Sequence, residues 1–233
     1  MGLSSMKNDS AMGLGAPALR RVRVLGLLFL LLAAWALPSV GFAQTSVVCP
    51  PLERRFGPHD YLNPSSRQRF LNLVERHHFT DRVRNMNPRG DTGSLIGDIQ
   101  YTLNWFPNHH EALDLFARLA VREQNPQPLG ASAHIDCRFQ WARQVNPRDE
   151  MVPMIQGLYF HRLGRNSDAI RQFEQAVVLG PNNATVRYNF GLVLVQARRF
   201  EEAREQARAA YALGFPLPGL RDQLRRAGYP LGD

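Results

Sequence analysis

Histidines are the side chains in this sequence best suited to chemistry, and their spacing argues against most of it. Four of the seven fall in two adjacent pairs, His77-His78 and His109-His110. Adjacent residues on a helix do not face one another, so neither pair is a chelate by itself. A structural metal site takes about four well-placed ligands. The best case for one needs His77 to meet His109 or His110 in space. His109 and His110 directly follow Pro107-Asn108, where turn packing or helix capping is the ordinary role. A third group, His59-Asp60-Tyr61, would support an accessory or catalytic function only if His59, Asp60, His77 and His109 shared one pocket. No nucleophile elbow, phosphate loop, zinc-protease signature or dinucleotide fingerprint is present. The triplet Arg89-Gly90-Asp91 lies in "NPRGDTG", which reads as a turn or mobile loop. The expectation is a non-enzymatic protein with no cofactor and no metal.

Two cysteines remain as chemical groups, Cys49 and Cys137. In an exported chain an even count favours a disulfide. Such a bridge would tie an N-terminal segment to a distant helix and restrict a large loop of the unfolded chain. The alternative is two separate thiols.

Export is the reading of the first residues. Arg20, Arg21 and Arg23 precede a 14-residue uncharged apolar run, Val24 to Leu37, which Pro38 ends before small residues at Gly41 and Ala43. This is the layout of a signal peptide over residues 1–43, cleaved after Ala43. The run is short against the roughly 20 residues of a membrane span. The expected location is therefore periplasmic or secreted. An uncleaved leader would give an inner-membrane anchor instead, the one membrane contact the sequence allows. Removing residues 1–43 takes four basic residues and one acidic residue from totals of 28 and 20, leaving +5 on 190 residues. The arginines are scattered among acids, with no basic run or stacking-aromatic array, so nucleic acid is not an expected partner.

Residues 44–92 hold the proline-rich "CPPLERRFGPHDYLNP" and then one or two helices. Asn63-Pro64-Ser65 marks a helix start, with Phe70, Leu73, Val74 and His77 on one face. Thr80 is a candidate cap for a short helix. From Ser94 the pattern becomes pairs of amphipathic helices. Asn108 is the expected cap after Pro107, and Asn166 or Ser167 the expected cap after Gly164. Residues 217–233 close the chain with a capping helix carrying Leu217, Leu220, Leu224 and Ala227 on one face.

The pairs repeat. A shift of 34 residues brings Gly157 onto Gly191, Ala169 onto Ala203 and Ala176 onto Ala210, the signature of a stacked array. In 150–183 the small Gly157 is followed by Ala169, Phe173, Ala176 and Pro181. In 184–216 the series is Phe190, Gly191, Ala203 and Ala210, with Ala207 where a larger aromatic is usual and Pro216 one place late. This series resembles the tetratricopeptide repeat, and "AYALGFPLPGLRDQL" resembles the ending of uncharacterised exported bacterial proteins with that repeat. The resemblance implies an all-α solenoid of helix-turn-helix pairs over residues 93–216, with an irregular N-terminal segment and a C-terminal capping helix. Upstream, Ala117, Ala142 and Pro147 fit a further repeat carrying a six-residue insertion, mostly "NPQPLGAS". A degenerate repeat ends at Pro107.

In that family the first helix of each pair lines a concave groove that takes a peptide or partner helix. The resemblance therefore assigns the groove to Met154, Leu158, His161 and Arg162 on one pair and Tyr188, Asn189, Leu192 and Gln196 on the next. It implies a protein-protein interaction role, read here as a scaffold or assembly factor in the cell envelope, with a protein or peptide as partner.

Overall fold

The computed structural model describes residues 47–52 and 57–232. The signal-peptide reading lies outside the described residues. Within them the regular structure is helical, with no strand. None of these helices is long and apolar enough to cross a membrane.

The N-terminal helices begin as the side chains dictate. Asn63 caps α1 (Pro64–Ser66) by accepting from the Ser66 N–H at 3.1 Å. A π-helical turn, Arg67–Leu71, then leads into α2 (Asn72–His78). That wide turn corrects the expected face. It takes up one extra residue, which rotates the helix so that Leu71 and Val74 are buried while Leu73 and His77 are exposed. Leu71 and Val74 pack with Phe106, flanked by Phe70 and Trp105. Thr80 caps α3 (Asp81–Arg84), its hydroxyl accepting from the Arg82 N–H.

The "RGDTG" turn is built around one buried carboxylate. Asp98, fully buried in α4 (Leu95–Trp105), accepts from the Asp91 N–H at 2.6 Å, the Thr92 N–H at 3.0 Å and the Thr92 hydroxyl at 2.7 Å. His78 Nδ1 donates at 2.9 Å to Oδ1, the oxygen that also takes the Thr92 hydroxyl. Gly90 has φ +56°, and a Cβ there would run into the Asp98 side chain. The Arg-Gly-Asp triplet is thus a structural turn.

Helix pairs follow. Helix α5 (His110–Arg122) pairs with α6 (Ile135–Val145), α7 (Met151–Arg162) with α8 (Asn166–Leu179), and α9 (Ala184–Gln196) with α10 (Phe200–Ala212). First helices also lie side by side, α5 on α7 and α7 on α9. Helix α11 (Gly219–Arg226) covers α9 and α10, burying Leu220 and Leu224 completely. Leu217 precedes this helix and stays exposed, so it is not part of the buried face.

The small residues act by close approach. A Cβ on Gly157 would lie 2.7 Å from the Phe173 ring, so the ring of α8 rests directly on the backbone of α7. Ala207 occupies the matching place one repeat later and cannot reach that far. There a Cβ on Gly191 would instead run into Leu220. The capping helix supplies the side chain that its own repeat lacks.

The turns between paired helices share one conformation. Gly164 has φ +74°, as expected of a residue ending a helix without Cβ strain. Arg198, 34 residues on, adopts φ +60°, and Gln124 at the end of α5 adopts φ +50°. Asn166 and Ser167 do not cap α8. The cap position belongs to Arg165, whose side chain makes no capping bond to the backbone and donates instead to Asp168, and Asn166 is already inside the helix.

The two cysteines are joined. Cys49 and Cys137 form a disulfide with Cα atoms 5.3 Å apart across a sequence separation of 88. It fixes the strap 47–52 against α6, where Trp141 Nε1 donates to the Pro50 carbonyl at 3.1 Å.

Candidate functional site

The candidate groove is the row of first helices α5, α7 and α9. Its residues are set by register: the position just after each close-contact residue and the position five after it point the same way on every first helix. On α7 these are Leu158 and Arg162, and on α9 Leu192 and Gln196. Leu158 and Leu192 are half-buried, while Arg162 and Gln196 are exposed. Arg162 Nη1 donates to Asp114 Oδ1 of α5 at 2.7 Å, so side chains of neighbouring first helices meet across this face. His161 is half-buried beside Asn166, with Nδ1 3.3 Å from its carboxamide oxygen.

Three of the expected groove residues have other roles. Met154 and Tyr188 belong to the core, at 5% and 7% exposure. Tyr188 stacks on Phe215 with ring centroids 4.0 Å apart, covered by the segment leading into α11. Asn189 directs its amide at its own helix, donating to the Thr185 carbonyl at 2.9 Å. An asparagine so engaged is not poised to donate to a peptide backbone.

The structure adds two residues that the sequence reading passed over. Counting from Ala117, the same two positions on α5 are Arg118 and Arg122, and both are exposed. The signal was present once Ala117 was in place, but the insertion before α6 obscured the register of that repeat. The nearby carboxylates are already engaged. Asp114 is paired with Arg162, and Glu111 accepts from Arg84 Nε of α3 at 3.0 Å. Arg118 and Arg122 have no ion-pair partner among the described residues. Arg118 and Arg122 thus lie on α5, the helix that packs against the one carrying Leu158.

A second polar site joins the N-terminal segment to the repeats. Asn108, fully buried, donates at 2.8 Å to both Asp60 Oδ1 and Asp149 Oδ2, and its own oxygen accepts from the Tyr61 N–H at 2.9 Å. His110 Nε2 donates to Asp149, itself 1% exposed, at 2.9 Å, and Asn146 donates to Asp60 Oδ2 at 3.0 Å. The expected cap Asn108 is therefore a cross-brace. Helix α5 is capped by His109 instead, whose Nδ1 accepts from the Ala112 N–H at 3.1 Å.

The four residues required for a catalytic pocket are each engaged elsewhere or turned to solvent. His59 stacks on Phe70 with centroids 4.4 Å apart. Asp60 is held by Asn108 and Asn146. His77 is exposed on α2. His109 faces Glu75, with Nε2 3.1 Å from Oε1. Among the described residues no three His, Cys, Asp or Glu side chains form a group that could hold a metal ion.

Burial pushes the His109 imidazole below the usual histidine range, against the opposing pull of Glu75. The same hydrogen bond holds Glu75 below the usual carboxylate range, helped by Arg84.

Residues 156–215 match the family model described as tetratricopeptide repeat. Comparison with curated proteins finds no match. The match runs from within α7 past the end of α10, the segment in which Gly157 and Gly191 set the helix spacing. Over that segment the helix pairs are similar to tetratricopeptide repeats, which supports a protein-protein interaction module, and the helices stack in pairs as an all-α solenoid does.

Proposed function

We propose that this tetratricopeptide-repeat protein is a non-enzymatic docking protein of the bacterial cell envelope. It is exported by its leader, acts in the periplasm, and helps assemble or hold an envelope complex. Its partner presents an extended, acidic segment with interspersed aliphatic side chains. The observation that carries this reading is that Arg118 and Arg122 are exposed on α5, which packs on α7, while half-buried Leu158 and Leu192 hold the equivalent position on α7 and α9. The aliphatic pair offers apolar area to bury. The two arginines, with Asp114 and Glu111 paired to other arginines, favour a carboxylate-bearing chain. Exposed charges of this kind speed encounter and select partners more than they add affinity, and salt screens them.

The test is capture of the epitope-tagged full-length protein from gently solubilised envelopes, with cross-linking mass spectrometry to locate the contact. The comparison protein carries Arg118→Glu and Arg122→Glu. A partner cross-linked to α5 and α7 through an acidic segment, and lost from the charge-reversed protein, supports the proposal. A partner retained equally by both proteins moves docking off this face. Capture of nothing by either protein refutes the docking role.

A further inference from the structure

His109 carries a consequence that neither the groove nor the repeats require. Its Nδ1 accepts the Ala112 N–H, so in the neutral ring the proton must sit on Nε2, which donates to Glu75 of α2. One fully buried imidazole thus does two jobs: it caps α5 and it hydrogen-bonds Glu75 of α2, which packs on α4. Only the neutral Nε2–H tautomer can do both. A second proton would go to Nδ1 and set an N–H against the Ala112 N–H, replacing a hydrogen bond with two opposed donors.

We infer that His109 is an acid-sensitive latch, whose protonation uncaps α5 and loosens the seat of the N-terminal helices on the repeats. The surroundings offer the new charge little compensation. Tyr61 and Phe79 present their rings at 4.6 and 4.8 Å. Glu75 is the facing carboxylate, but Arg84 of α3 already contacts it at 3.4 Å and also holds Glu111. On α5 itself the neighbours are His110, engaged with Asp149 ahead of α7, and Glu111. The imidazole is completely out of contact with water, so its charged form is favoured in an opened state.

The direction of the pH effect follows from the depressed histidine. The closed state binds fewer protons than the opened one. Closure is therefore complete above the ordinary histidine value of about 6.5 and weakens as pH falls below it, by up to about tenfold per pH unit for one proton.

Amide hydrogen exchange on the full-length protein tests this, read as protection factors so that intrinsic pH effects cancel. Across about pH 7.5 to 5.5, which spans the ordinary histidine value, protection at Ala112, Leu113 and the amides of α2 falls together in the wild type. His109→Asn replaces the ring with a cap that accepts but does not titrate, and its protection stays flat over the same range. A flat wild-type profile overturns the latch, as does a slope that survives in His109→Asn. Should His109→Asn fail to fold, nitrogen NMR of the wild-type imidazole decides the matter. A ring protonated on Nε2 at neutral pH that gains Nδ1–H as α2 loses protection supports the latch; Nδ1–H at neutral pH refutes it.

Discussion

The interchange between Phe173 and Leu220 makes a quantitative demand. Phe173 covers Gly157 in one repeat, and Leu220 of the capping helix covers Gly191 in the next, because Ala207 is too short to do so. Leu220 is fully buried, so Leu220→Ala removes its contacts and leaves a cavity above the Gly191 backbone. Substitutions of this type lower stability by about 3 kcal/mol. Ala207→Phe alone places a ring where Leu220 already sits, an overpacking that lowers stability by about 2 kcal/mol. In the double variant the new ring occupies the vacated space as Phe173 does over Gly157. The expected net loss is then about 1–2 kcal/mol instead of the additive 5 or so. Urea unfolding of the four proteins, followed by far-ultraviolet circular dichroism, gives the coupling directly. A double variant within about 0.5 kcal/mol of the sum of its singles would refute the idea that these side chains serve one space.

Arg198→Gly should raise stability by about 0.5–1 kcal/mol, because Arg198 holds φ +60° and a glycine there relieves Cβ strain, less its larger loss of chain entropy; thermal unfolding beside Gly164→Ala, which should fall, checks the sign. Asp149→Ala should lower stability by about 1–3 kcal/mol, since it leaves the buried Asn108 amide short of an acceptor and His110 without its carboxylate; an unchanged urea midpoint would show the cross-brace to be dispensable. Burial pushes Asp98 upward, but hydrogen bonds from Thr92, His78 and Asp91 prevail and hold it below the ordinary carboxylate range. Its contribution is therefore complete above the ordinary aspartate value of about 3.9 and is lost as pH falls through the lower folded value. Melting temperatures of Asp98→Asn should accordingly fall less steeply below about pH 4 than those of the wild type.

What the sequence revealed were features written into local spacing. The 34-residue shift, the glycine and alanine contact positions, and the Gly164 turn each depend on residues close together in the chain, and each appears in the helix pairs. The disulfide followed from residue count and the export reading rather than from geometry. The misreadings have a common cause as well. Asparagine is the statistical cap, yet Asn108 is drawn inward by Asp60 and Asp149, partners 48 and 41 residues away, and His109 takes the cap instead. No local pattern carries those separations. The face of α2 was misassigned because one π turn shifts its phase. Met154 and Tyr188 looked like groove residues by position, but each first helix is covered by the structure that follows it, and these side chains fall on the covered side.

Both ends of the array are closed, and the closures differ in chemistry. The C-terminal end is sealed by apolar contact: Leu220 and Leu224 are buried, while Arg221, Arg225 and Arg226 face solvent. That seal has no titrating group among its buried side chains and should be indifferent to mild acid. The N-terminal end combines apolar packing with buried polar contacts, in which Glu75, His109, Asn108, Asp60 and Asp149 take part. Hydrogen-bonded joints of buried polar groups are stable only while every partner is satisfied, so a single proton can unsettle this end and leave the other intact. Arg84 links that end to the groove, since it contacts both Glu75 in the joint and Glu111 on the first groove helix. When α2 and α3 are seated, Arg84 is the ion-pair partner of Glu111, which lies two turns before Arg118 on α5. Opening of α2 and α3 would leave the Glu111 carboxylate without this counter-ion.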